Sequence, residues 1–220
     1  MERVYKVIIV DDHKHFRNGL KYVLSQTENI EVIAECSNGI EFLDLLEKGI
    51  PDVVLMDISM PEMDGIKATR IATRKYRGLP IIALTMFDEE KYCTRMLNAG
   101  AKGFISKDLE SEKLIKAITR VADGRSYFSQ DILSKLIRAN LWYDKGNIDK
   151  VKKDYLLSEK EEKVLRLLCL GLTDPEIADE LAENQDNVKD IENGLLAKTQ
   201  TTNMAHLVSF TLRNRLLRSA

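Results

Sequence analysis

Cysteine, histidine and proline are scarce in this chain of 220 residues, numbering 3, 3 and 4. The cysteines, Cys36, Cys93 and Cys169, are odd in number, widely spaced and contain no Cys-x-x-Cys pair. That excludes a disulfide framework or a cysteine-built zinc site and leaves three small reduced core residues, as in a cytoplasmic protein. His13, His15 and His206 form no pair with metal-ligand context. Long apolar runs are also missing. Strings such as Val7–Val10 and Val53–Met56 suit buried strands, whereas a membrane helix needs ~20 residues. Met1–Lys6 lead straight into such a strand, with no room for a signal peptide. An excess of one charge is lacking too. The 33 Lys+Arg face 35 Asp+Glu, for a net charge of −2. This excludes a protein whose overall field draws it onto nucleic acid or anionic lipid, though not one with a local basic patch.

What is present reads as globular. Hydrophobic residues make up 44% and charged residues 31%, which argues against disorder, and the length suits two ordinary domains. In residues 1–125, five apolar runs alternate with amphipathic stretches: Lys6–Val10, Ile30–Cys36, Val53–Met56, Ile81–Thr85 and Gly103–Ile105. Phe16, Leu20, Val23 and Leu24 recur at helical spacing in the first stretch, and Leu114, Ile118 and Val121 in the last. Pro51 and Pro80 stand just ahead of strand runs and Pro61 just after one, so none breaks a ladder. The pattern predicts an α/β domain with a five-stranded, parallel, doubly wound sheet. Residues 126–154 form a connector, with a helix expected over Ser129–Leu141 and a polar tether over Tyr143–Asp154. Residues 155–220 lack strand patterns. Ser158-x-x-Glu161 and Thr173-x-x-Glu176 are capping boxes, and four short helices are expected: a small all-α domain.

The chemistry gathers at strand ends. Asp11-Asp12 follow the first run, Asp57 the third, Thr85 ends the fourth and Lys107 lies just past the fifth. In a parallel doubly wound sheet such positions share one rim, where ligands bind. Singly, each reads as a turn or solvated surface; together they make three carboxylates, a hydroxyl and an ammonium. Asp11, Asp12, Asp57 and the backbone carbonyl of Ser59 suit Mg²⁺, which takes oxygen ligands. Asp57, alone at its strand end, is the best nucleophile for forming an aspartyl-phosphate. Lys107 and Thr85 then stabilise the phosphoryl oxygens.

Val-Asp-Asp at 10–12, Leu-Met-Asp-Ile-Ser-Met-Pro at 55–61, Asp64-Gly65, Leu-Thr at 84–85 and Gly-Phe-Ile-Ser-Lys at 103–107 resemble the receiver domain of two-component response regulators. Asp-Asp-His and the chain length are similar to the NarL/FixJ subgroup. The resemblance implies a flavodoxin-like fold with strand order 2-1-3-4-5, phosphorylation of Asp57 by a histidine kinase, and Mg²⁺. It also implies a switch in which Thr85 moves toward the phosphoryl group and Phe104 follows it inward. A plain core phenylalanine is the simpler reading of Phe104. Many receivers place a proline after the lysine with a cis bond. Here Asp108 stands there, and a cis bond before a non-proline costs ~2.5–4 kcal/mol.

Leu157-Ser158, Glu161–Leu165, Gly171–Thr173, Glu176–Ala178, Leu181 and Val188-Lys189 resemble the LuxR-type helix-turn-helix. That implies a helix at about 186–198 in the major groove, braced by one at 174–182. Asn187, Lys189, Asn193 and Lys198 are its candidate DNA contacts. Departures fall on this side: Asp174-Pro175 replaces the common Asn-Lys, Glu183 an apolar residue, Asn187 a threonine, and Ile191-Glu192 a histidine and its basic neighbour. Residues 155–220 carry 8 basic and 11 acidic residues, and phosphate contacts by Lys and Arg supply much DNA affinity. The leading reading is a phosphorylation-controlled, DNA-binding transcription factor that is a homodimer when phosphorylated, with RNA polymerase a further candidate partner and no membrane. A receiver joined to a degenerate helical domain that binds protein is the alternative. A Mg²⁺-dependent phosphotransferase for small molecules is a third reading, without a visible substrate-binding insertion.

Overall fold

The structure, a computed structural model, describes residues 3–86, 90–108, 110–129, 155, 157–170, 172–201, 204–213 and 216–217. The chain divides into two compact units, Met1–Gly124 and Arg125–Ala220. Of the expected connector helix and polar tether, all but Ser129 lie outside the described residues.

The first unit alternates strand and helix: β1 (Tyr5–Val10), α1 (Lys14–Ser25), β2 (Ile30–Cys36), α2 (Gly39–Leu46), β3 (Val53–Asp57), α3 (Gly65–Lys75), β4 (Ile81–Thr85), α4 (Glu90–Ala99), β5 (Gly103–Ser106) and α5 (Ser111–Ala122). Neighbouring strands from β2 to β5 pair in parallel. A parallel sheet hides both faces under helices, so β3 and β4 are buried at every position and Val7–Val10 are 0% exposed. The ladder between β1 and β2 shifts register between Val7 and Ile8, skipping Ile33. That bulged residue is 42% exposed, as an unpaired extra residue at a sheet edge can be.

The expected five strands need correction. A sixth, β6 (Tyr127–Phe128), takes the edge, and the order is β2-β1-β3-β4-β5-β6. Two residues carry no readable alternation, and they follow a turn at Gly124 with φ +83°. Order 2-1-3-4-5 among the first five strands is as the resemblance implies.

The second unit is helical: α6 (Glu159–Cys169), α7 (Asp174–Leu181), α8 (Gln185–Thr199) and α9 (Met204–Arg213). Both capping boxes form, Ser158 with Glu161 and Thr173 with Glu176. Asn184 caps α8 by accepting from the Asn187 N–H, so orphan amides at the starts of α6, α7 and α8 find a partner. Val164, Leu165, Ile177, Val188, Leu195 and Leu207 are fully buried and make the core. Cys36 and Cys169 are free and buried, and burial raises their thiols to about 11 and about 12, so neither is reactive. Among the described residues no helix is long and apolar enough to cross a membrane.

Candidate functional site

β1, β3 and β5 all end on the carboxyl rim of the sheet, with β4 between β3 and β5, and each leads to a charged residue there. The Lys107 ammonium lies 2.7 Å from Asp11 Oδ2 and 2.9 Å from Asp57 Oδ1, with all three side chains at most 5% exposed. Asp11 Oδ1 accepts from the His13 N–H at 2.8 Å, and Asp57 Oδ1 from the Ile58 N–H at 2.9 Å. The loop past Asp57 folds back tightly, with the Gly65 N–H donating to the Ile58 carbonyl at 3.0 Å. A Cβ on Gly65 would sit 1.9 Å from the Asp57 carbonyl oxygen, so this approach needs glycine.

Three carboxylates share one ammonium. Burial raises the Asp57 pKa to about 6, with the Asp11 charge adding to it and Lys107 opposing. Burial also works against the Lys107 ammonium, but its contacts with Asp11 and Asp57 win and raise its pKa. Oxygens of Asp11, Asp12 and Asp57 and a ring nitrogen of His13 lie within 4.8 Å of one another. Asp12 Oδ1 is buried without a hydrogen-bond partner; His13 Nδ1 approaches it to 2.9 Å but is not aligned to donate. A buried acceptor with no donor, beside an excess of negative charge, is what a cation relieves.

The sequence offers no histidine pair with metal-ligand context, yet the structure brings His13 into this cluster. Its signal was adjacency to Asp11-Asp12 on a strand-to-helix turn. The imidazole is 64% exposed, and a hard cation prefers the carboxylate oxygens. Ser59 is exposed in the loop after β3. Thr85 is buried at the end of β4, and its hydroxyl donates to the Met86 carbonyl at 2.9 Å. Phe104, on β5, is 0% exposed. The Lys107–Asp108 peptide is trans.

In the second unit Asn187, Lys189, Asn193 and Lys198 are all exposed on α8. At ~100° per residue, Asp186 and Asp190 fall opposite the buried stripe of Val188, Glu192, Leu195 and Thr199, while Asn187, Lys189, Asn193 and Lys198 lie to its sides. The Asn187 amide donates to Glu183 at 3.0 Å. Lys198 pairs with Glu161 at 2.8 Å, and Lys160 with Glu183 at 2.5 Å. Glu192, standing where the family commonly has a basic residue, is only 8% exposed. Burial raises its pKa to about 7, helped by Asp174. Asp174 in turn lies 3.4 Å from Arg125.

The response regulator receiver domain family model matches residues 7–119. The chain belongs to that family. The response regulator is 35% identical to the uncharacterized transcriptional regulatory protein YhcZ of Bacillus subtilis, over 96% of this chain and 97% of that one. It is 30% identical to the transcriptional regulatory protein DegU of Brevibacillus brevis, over 97% and 95%. The solved complex of the two-component response regulator RcsB with DNA is 26% identical, covering 94% of this chain and 98% of that one, with a TM-score of 0.57. Both units of the response regulator thus have counterparts in full-length relatives, which places it in the NarL/FixJ-type branch: a receiver followed by a LuxR-type helical region. As a receiver, its acidic pocket is the cluster on the carboxyl rim.

Proposed function

We propose that this response regulator is phosphorylated on Asp57 by a histidine kinase and that the phosphoryl group controls DNA binding by α7 and α8. One observation carries the reading: Asp57 is a buried carboxylate at a strand end, 2.9 Å from Lys107, beside two further carboxylates. In the transfer an Asp57 oxygen attacks phosphorus on the kinase's phosphohistidine. The O–P bond forms as the P–N bond breaks, and the imidazole leaves with the electron pair and takes up a proton. Lys107, already beside Asp57, meets the phosphoryl oxygens. Asp11, Asp12, Asp57 and the Ser59 carbonyl would hold Mg²⁺, and the orphaned oxygen of Asp12 fits it. When bound, the ion neutralises charge on the phosphoryl group. Thr85 trades the Met86 carbonyl for a phosphoryl oxygen, and Phe104 is the neighbouring core side chain that responds.

On the output side Asn187, Lys189, Asn193 and Lys198 are the proposed DNA contacts. The likeness to a DNA-bound relative supports this, as does α8 lying exposed along one side. The active species is a homodimer in the cytoplasm, acting on transcription through RNA polymerase. Acetyl phosphate with Mg²⁺ tests the acceptor directly. The wild-type chain takes up one label and Asp57→Asn takes up none; a labelled Asp57→Asn chain would remove Asp57 from the role.

A further inference from the structure

The Lys107 ammonium has a third neighbour that is not a carboxylate. It lies 5.0 Å from the centroid of the Phe16 ring, which stands in the first turn of α1. A cation over an aromatic face within about 6 Å is attracted by the ring quadrupole, and more so where water is excluded. Water is excluded here: the Lys107 side chain is 5% exposed. Phe16 itself is half-buried, so its ring helps cover the ammonium.

We propose that Phe16 is a positioning residue that holds Lys107 in the site while the charge on Asp57 changes. The proposal rests on the reading of Asp57 as phosphoacceptor. Before transfer Lys107 is held mainly by Asp11 and Asp57. During transfer one Asp57 oxygen becomes bonded to phosphorus, and a cation entering the acidic cluster competes for Asp11. Both anchors therefore weaken at the step that needs the ammonium in place. The ring's attraction has no proton to gain and no charge to lose, so it persists. The loop Asp11–His13 fixes where the ring sits. Asp11 N–H bonds to the Cys36 carbonyl at 3.1 Å, and Arg17 N–H to the His13 carbonyl at 3.1 Å, so α1 starts in register with the carboxylate that Lys107 contacts. At the sequence level Phe16 reads only as the first apolar residue of an amphipathic helix; its contact with Lys107, 91 positions away, belongs to the fold.

The experiment uses the full chain. Phe16→Leu keeps apolar bulk and removes the ring; Phe16→Trp keeps a ring with a stronger quadrupole. Side-chain ¹³C relaxation of the Lys107 ε-methylene, read without any phosphodonor, should show faster motion in Phe16→Leu and wild-type order in Phe16→Trp. With acetyl phosphate and Mg²⁺, Phe16→Leu should lower the saturating labelling rate about 3- to 10-fold with the half-saturating concentration unchanged. In a Lys107→Met background, Phe16→Leu should have no further effect, because a residue that acts through Lys107 has nothing left to act on. An ordered Lys107 methylene in Phe16→Leu overturns the proposal. So does an equal loss of rate in the Lys107→Met background, which assigns Phe16 to general packing. If the wild-type chain takes no label while Phe16→Leu still frees the methylene, the phosphoacceptor reading falls and the positioning contact stands.

Discussion

The two units of this response regulator treat charge in opposite ways. The receiver concentrates like charge: two carboxylates at most 3% exposed face one ammonium at the end of the sheet, with a third beside them. The helical unit disperses it. Lys160 and Lys198 are each matched by a glutamate at the surface, and a deeply placed acid, Glu192, is held toward its neutral form. Unmatched buried charge is costly and is kept where chemistry uses it. Matched surface charge costs little and contributes little. The receiver gathers its charge at one centre, whereas the helical unit, with 8 basic and 11 acidic residues over 155–220, spreads a net acidic charge over its helices.

The largest expected effect breaks the geometry that lets charge collect. Gly65→Ala drives a Cβ into the Asp57 carbonyl and should destabilise the receiver by at least about 3 kcal/mol, seen as a lower denaturant midpoint, with loss of labelling at Asp57. Next come the two raised carboxyls, one in each unit. A carboxyl whose folded pKa exceeds its unfolded value binds more protons when folded, so its unit loses stability as pH rises between the two values. For Asp57 that window runs from about 4 to about 6. Asp57→Asn should raise receiver stability by about 2 kcal/mol at pH 8, with the gain fading toward pH 4. For Glu192 the window runs from 4.5 to about 7. Glu192→Gln should stabilise the helical unit by about 2 kcal/mol at pH 8 and hardly at pH 4.5. Thermal melts across pH check both, and a pH-independent difference in either unit would break the parallel between them. Mg²⁺ sharpens the contrast: it should raise the receiver's melting temperature and leave the helical unit's unchanged. The smallest effect is Lys198→Ala. Its pair with Glu161 is at the surface, so stability should change by under about 1 kcal/mol, while the salt dependence of DNA binding should flatten by about one phosphate contact.

How much of this was legible follows from where each feature is encoded. The rim was readable because buried parallel strands are near-continuous apolar runs. Asp11, Asp57 and Lys107 stand at the ends of such runs, and topology alone then brings them together. The capping boxes were readable because three residues contain the whole motif. β6 escaped because two residues show no period. The burial of Glu192 was not readable because its surroundings depend on how α7 meets α8: Asp174, which raises its pKa, is 18 positions away, and helical spacing alone does not say that the buried stripe includes an acid. His13 and Phe16 escaped for a related reason. Each reads locally as the start of a helix, and only the fold sets them beside the carboxylates and the lysine.

In the proposed function one event, phosphorylation of Asp57, joins the two units. Its most direct test is DNA affinity at fixed salt, measured for a sequence selected from random DNA, with and without prior acetyl phosphate and Mg²⁺. Treatment should tighten binding by the wild-type chain and leave Asp57→Asn unchanged. Equal affinity of treated and untreated wild-type protein, or equal tightening in Asp57→Asn, would contradict it.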